Sequence, residues 1–437
     1  MNNRYSAEYA RCCGLTVFRH IRNDPLFSVF EKLLGFLSGA GSPEAGKILS
    51  CAGEFLFLLA GRSPILDWGR AVEDMVLGDE NPYTRAVEAT AGEPAGSSIP
   101  RPEIPGALTA LAEHDLESLR ILAALHPGKI IETLEEMCGD AAVGLPAGLF
   151  HADTVADPEE RLSQKKLLSR WKEGAGIFSG ADSFVWENGR LLPVLTPDPI
   201  TLEQLIGYET QREVVLENTR RFAAGFRANN LLLYGDRGTG KSATIKAAAR
   251  AAAFLRVKII EVRKQQLTEF PQIIDFLRDR NFRFIIFIDD LSFDRADESY
   301  VGLKALLEGG LETRPENVLL YATSNRRHLV KERVQDRIGL GSVDAETEIR
   351  AQDSLQEQLS LADRFGMTVI FSAPLQDEYL RIVSGMIEKR GLKADREKAL
   401  ADALRWEKWY NGRSPRTARQ FVDWLEGGEA APWDRMD

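Results

Sequence analysis

The pattern of apolar and polar positions changes character twice along the chain. Up to about residue 160, apolar residues recur every three or four positions. The recurrence is clearest over Leu26–Leu37 and Leu108–Leu125 and predicts helices with one buried stripe each. Between them, Ala89–Gly106 collects Pro94, Pro100, Pro102 and Pro105 among glycines and serines, which predicts a loop. Phe184-Val185-Trp186-Glu187 and Arg190-Leu191-Leu192-Pro193-Val194 then flank Asn188-Gly189. That dipeptide supplies the two positive-φ positions of a tight hairpin turn. Beyond Thr196–Pro199, short apolar runs alternate with helical stretches. The candidate strands are Asn230–Tyr234, Val257–Val262, Phe284–Asp289, Val318–Thr323 and Met367–Phe371, and the last stops at Ser372-Ala373-Pro374. This is the pattern of a parallel sheet covered on both faces. No strand signal follows. Leu375–Arg390, Asp395–Trp409 and Pro415–Leu425 read as helices, the first closed by Gly391 and the last opened by Ser414-Pro415.

At 437 residues the chain is too long for one ordinary core. The pattern divides it into a mainly helical N-terminal domain over 1–160, the candidate region for partner recognition, and a linker with the β-hairpin over 161–200. An α/β domain over 201–374 and a helical lid over 375–437 complete it. Hydrophobic content of 44% and charged content of 27% describe a soluble globular protein. The longest apolar stretch, Ile48–Ala60, is interrupted by Glu54 and is too short to span a bilayer, and no secretory signal is evident. No membrane insertion and a cytoplasmic location are therefore expected. Cys12, Cys13, Cys51 and Cys138 show no C-x-x-C spacing and read as reduced thiols rather than a zinc site. A net charge of −10 argues against general nucleic-acid binding. Two local basic stretches remain: Arg326, Arg327, His328, Lys331, Arg333 and Arg337, and Lys165, Lys166, Arg170 and Lys172 around Trp171. Glu332 and Asp336 interleave the first, which favours a solvated helical face.

One stretch carries chemistry. Gly235-Asp236-Arg237-Gly238-Thr239-Gly240-Lys241-Ser242 fits the phosphate-loop spacing G-x-x-x-x-G-K-[ST], directly after a strand candidate and before the helix former Ala243–Ala253. The glycines let the backbone form a nest whose N–H groups face phosphate oxygens. Lys241 can reach the β- and γ-phosphates, and the Ser242 hydroxyl can ligate Mg²⁺. Phe284–Asp290 is a strand that ends in two carboxylates, on the side of a parallel sheet where ligands bind. There Asp289 would hold Mg²⁺, through water, and Asp290 would polarise an attacking water as general base. Asn325 ends the next strand, where it can orient that water or contact the γ-phosphate.

Together these motifs resemble the AAA+ ATPases, over roughly residues 165 to 425. The phosphate loop is similar to that family's Walker A, Ile286–Asp290 to its Walker B and Asn325 to its first sensor. Leu205-Ile206-Gly207-Tyr208 looks like the segment placed against adenine, which implies Ile206 and Gly207 as nucleotide contacts. Leu361-Ala362-Asp363-Arg364-Phe365-Gly366 resembles the box that carries a trans-acting arginine finger in clamp loaders and branch-migration motors. Ser414-Pro415-Arg416 resembles the second sensor. The wording of Asp289-Asp290-Leu291-Ser292-Phe293 and Thr323-Ser324-Asn325-Arg326-Arg327-His328 is similar to an uncharacterised bacterial AAA+ family, a domain of unknown function. The resemblance implies a five-stranded parallel sheet sandwiched by helices, with a helical lid. It departs at Asp290, since the family's usual second Walker B acid is Glu, although replication initiators also carry Asp-Asp.

The implied function is ATP-dependent, Mg²⁺-requiring remodelling of a macromolecular partner, protein or nucleic acid. A homo-oligomeric ring or spiral is expected, because a trans-acting arginine needs a neighbour. Two alternatives stand beside it. One is a DNA-associated loader or branch-migration motor, suggested by Arg364 and Arg416. The other is a nucleotide-gated binding module with little turnover, for which the short acid Asp290 leaves room. A small-molecule kinase is disfavoured by the three-helix lid that follows the sheet.

Overall fold

The computed structural model describes residues 5–39, 44–63, 65–91, 102–141, 144–146, 150, 158–292, 303, 307, 315–325, 364–410 and 412–428. The chain divides into two compact units, with the break after Gly180.

The first unit is helical: α1 (Ser6–Cys13), α2 (Pro25–Leu37), α3 (Ala45–Arg62), α4 (Trp68–Gly78), α5 (Pro82–Ala89), α6 (Gly106–Ala123), α7 (Pro127–Cys138), α8 (Pro158–Arg161) and α9 (Gln164–Glu173). Asp24 caps α2 through the N–H groups of Leu26 and Phe27, with Pro25 at the first position. The core is aromatic: the rings of Phe30 and Trp68 lie 4.1 Å apart, and Phe27 and Phe55 pack on Trp68. Asp115, fully buried, accepts hydrogen bonds from the N–H groups of Thr16, Val17 and Phe18 at 2.8, 2.7 and 3.0 Å, satisfying three backbone donors of the turn after α1. Trp171, the aromatic within the basic stretch Lys165–Lys172, packs here too, fully buried against Phe18 and Tyr83. It cannot serve as a stacking platform for bases.

The second unit is built on β1 (Ser183–Glu187), β2 (Arg190–Pro193), β3 (Leu231–Gly235), β4 (Val257–Glu261), β5 (Arg283–Ile288), β6 (Val318–Ser324) and β7 (Met367–Phe371), with α10 (Glu209–Ala223), α11 (Lys241–Ala251) and α12 (Phe270–Arg278) packed on them. The strand order is β2-β1-β4-β5-β6-β3-β7, parallel except for the β1–β2 hairpin. Phe284–Ile288 and all of β6 are buried, as strands covered on both faces must be. This is the parallel, helix-covered α/β architecture that the sequence pattern implied. One correction applies: the described sheet has seven strands, not five. The hairpin turns at Asn188 and Gly189, φ 52° and 72°, as expected. Its first strand, β1, pairs in parallel with β4, so the hairpin extends the sheet. Residues 161–180, with Trp171, belong to the helical unit, and 181–200 to the second unit.

Three helices follow β7: α13 (Gln376–Lys389), α14 (Arg396–Trp409) and α15 (Pro415–Glu426). They close around Tyr379, Ile382, Val383, Ala403, Trp406, Phe421 and Val422. Gly391 ends α13 with φ 65°, and the Ser414 hydroxyl accepts from Thr417 N–H to cap α15. Among the described residues no helix is long and apolar enough to cross a membrane. The four cysteines are free thiols. The basic residues Arg326–Arg337 lie outside the described residues.

Candidate nucleotide-binding site

The phosphate loop lies where β3, the strand beside the sheet's β7 edge, hands over to α11. Gly235 must be glycine: its φ is 140°, and a Cβ would stand 2.1 Å from the Phe371 carbonyl oxygen on β7. That carbonyl accepts from Asp236 N–H at 2.9 Å, and the Asp236 carboxylate accepts from Ala373 N–H at 2.6 Å, so the loop is moored to the end of β7. Lys241 opens α11 and is buried, 6% exposed as a residue. Its Nζ donates to the carbonyls of Gly235 and Asp236 at 2.9 and 2.7 Å and to Asn325 Oδ1 at 3.1 Å. Burial lowers the Lys241 ammonium pKa from its ordinary value, opposed by the charges of Asp236, Asp290 and Asp289.

The ends of β5 and β6 bring the polar groups together. Asp289 Oδ1 accepts from the Ser242 hydroxyl and from the Thr323 hydroxyl, both at 2.6 Å. The Thr323 oxygen in turn accepts from Asp290 N–H at 2.9 Å. Asp290 has φ 50°, a left-handed conformation costly for a side chain that carries a Cβ. Its carboxylate accepts from Asn325 Nδ2 at 2.6 Å. Thr323 is the residue that sequence reasoning left unassigned. Its only signal is a hydroxyl two positions before Asn325 at a strand end, and its part depends on which strand lies beside β5.

The lid reaches the same place. Arg416 N–H donates to the Gly238 carbonyl at 3.2 Å, and a Cβ on Gly238 would lie 2.9 Å from Ser414 Oγ and 3.1 Å from Arg416 Cβ. Ile206 packs on the lid core, while Tyr208 stacks on Phe371 and donates from its hydroxyl to the Ser372 carbonyl at 2.6 Å. These elements enclose a cleft of about 640 Å³ whose walls include Ile206, Gly207, Lys241, Asp289, Asn325 and Arg416. Arg237, Gly238, Thr239, Gly240, Ser242 and Asp290 line it as well. Gly235 and Asp236 form the floor of the loop beneath Lys241.

Arg364 does not join them. It precedes β7, at the opposite end of the strands from the phosphate loop. The five residues of β7 alone span about 17 Å, so this arginine cannot serve the cleft of its own chain.

Residues 179–429 match the model of a family described as "Protein of unknown function (DUF815)". The chain belongs to this family. The match takes in the whole sheet, the cleft and the lid. None of the curated proteins matches the chain. Among solved structures it is similar to the Thermotoga maritima RuvB Holliday junction branch migration motor, at 15% identity over 50% of this chain and 62% of that one, with a TM-score of 0.33. It is also similar to AMPPCP-bound DnaA from Aquifex aeolicus, at 16% identity over 52% of this chain and 66% of that one, TM-score 0.36. The FIGL-1 AAA domain in complex with ADP matches at 17% identity over 51% of this chain and 71% of that one, TM-score 0.33.

Proposed function

We propose that this chain binds ATP in the cleft and hydrolyses it to remodel a macromolecular partner. The observation that carries the reading is the convergence of six groups from four elements: Lys241, Ser242, Asp289, Asp290, Asn325 and Arg416 all face one cleft at the carboxyl ends of the strands. In this reading the backbone of Gly238–Gly240 and Lys241 bind the phosphates, and Ile206 and Gly207 lie against the base. Asp290 is the general base, held in place by Asn325. The oxygens of Ser242 and Asp289, 2.6 Å apart, suit a hard cation. Mg²⁺ bound there supplies neutralising charge for the β- and γ-phosphate oxygens.

Arg416 reports the γ-phosphate to the lid of its own chain. Arg364, too far from that cleft, acts on the site of a neighbouring copy, which requires a ring or spiral. A second reading, a nucleotide-gated module with little turnover, is favoured by one contact: the Asn325–Asp290 hydrogen bond engages the carboxylate that would activate water.

Titration calorimetry with Mg·ATP tests the binding step. Lys241→Ala should lose several kcal/mol of affinity, as charge-assisted contacts in a phosphate nest are strong. Equal affinities for the variant and the parent chain would sink the reading.

A further inference from the structure

Arg416 has a proposed role, but the lid carries a second arginine that has none. Arg419 follows it by three residues on α15, so both lie on one face of the helix, while Thr417, Ala418, Phe421 and Val422 turn into the lid. Both arginines are exposed and line the cleft that holds the phosphate loop. Among the described residues, neither guanidinium has a hydrogen bond or ion pair to the protein. Other arginines nearby are engaged. Arg212, in the same cleft, donates to the carbonyls of Leu202 and Leu205, and Arg390 and Arg413 on the lid pair with Asp423 and Glu407. Asp198 also lines the cleft, yet it forms no ion pair with Arg419.

The direction of α15 separates the two arginines. Its first turn is fastened to the phosphate loop through Arg416 N–H and the Gly238 carbonyl. Arg419 therefore lies about 4.5 Å further along the axis, away from the loop. A guanidinium with five donors and no partner among the described residues, beside a phosphate nest, suits a phosphate oxygen. We propose that Arg419 is a nucleotide-binding residue that grips the α- and β-phosphates common to ATP and ADP, whereas Arg416 distinguishes the two nucleotides. The proposal rests on the ATP reading above. It makes lid engagement insensitive to hydrolysis at one arginine and sensitive at the other.

Equilibrium titrations of the full chain with ATP and with ADP separate these roles. Arg419→Ala should weaken both nucleotides about 10-fold or more, the size of a lost charge-assisted contact, leaving the ATP-to-ADP ratio unchanged. Arg416→Ala should weaken ATP and spare ADP. Arg419→Gln, which keeps length and polarity without charge, should behave as Arg419→Ala does and guards against a disturbance of α15. Unchanged affinities in both Arg419 variants, or a loss confined to ATP, would overturn the proposal and leave the ATP reading standing. A parent chain that binds neither nucleotide would overturn both.

Discussion

At the scale of single residues, the proposed site works through a few short contacts whose geometry limits what can be replaced. Asp290 is the sharpest case. Its backbone is left-handed, a region that Asp and Asn tolerate better than most residues. Asp290→Asn should therefore keep the local fold and ATP affinity while abolishing turnover, because an amide cannot take a proton from water. Phosphate release measured beside nucleotide titration checks this. Turnover at the parent rate would move the base assignment to another group. A parent chain that binds ATP and releases no phosphate would favour the gated module. The same paired measurement on Asp289→Asn should show a weaker dependence on Mg²⁺ concentration.

At the scale of elements, α15 and the phosphate loop are joined by a single close approach. Gly238 has φ 77° and stands against Ser414 and Arg416. An alanine there meets two obstacles. The left-handed backbone costs about 1–2 kcal/mol, and its Cβ presses on the cap of α15. We expect Gly238→Ala to shift the lid off the loop and weaken ATP binding at least tenfold, while the sheet and its far-ultraviolet dichroism stay intact. Retention of parent affinity would mean that the lid does not need this seat. The loop has a second mooring, through Asp236 to Phe371 and Ala373 at the end of β7. One strand thus meets the phosphate loop at its carboxyl end and follows Arg364 at its amino end.

That arrangement matters for the whole molecule. In the proposed reading the arginine at the far end of this edge strand acts on another copy, and such a finger contributes about 10³-fold or more to turnover with little effect on ground-state binding. Arg364→Ala subunits have an intact cleft and no finger, whereas Lys241→Ala subunits have a finger and a dead cleft. Mixing the two should restore part of the activity that each lacks alone. The same mixture made with Arg416→Ala should not recover, since that defect lies in the cleft of its own chain. Sedimentation should show ATP-promoted assembly. A strictly monomeric chain hydrolysing ATP at full rate would remove the finger and the ring with it.

Much of this was legible in the sequence because the signals are local. The strands β3 to β7 announce themselves as short apolar runs, and the phosphate loop is a fixed spacing between one strand and one helix. Ser414-Pro415 opens α15 by chemistry confined to one turn. What remained hidden depends on partners far along the chain. The alternation of β1 and β2 fits a free hairpin as well as a sheet edge, and only pairing with β4, more than seventy residues on, decides between them. Trp171 stands in sequence among basic residues, and its burial is decided only by the distant Phe18 and Tyr83 that pack on it. The role of Thr323 follows from β6 lying beside β5, and that of Arg419 from the docking of a helix onto a loop about 180 residues earlier. Local composition determines which backbone conformations are cheap. Which side chains meet is decided by long-range packing, where burial must be shared among elements that carry no mark of one another.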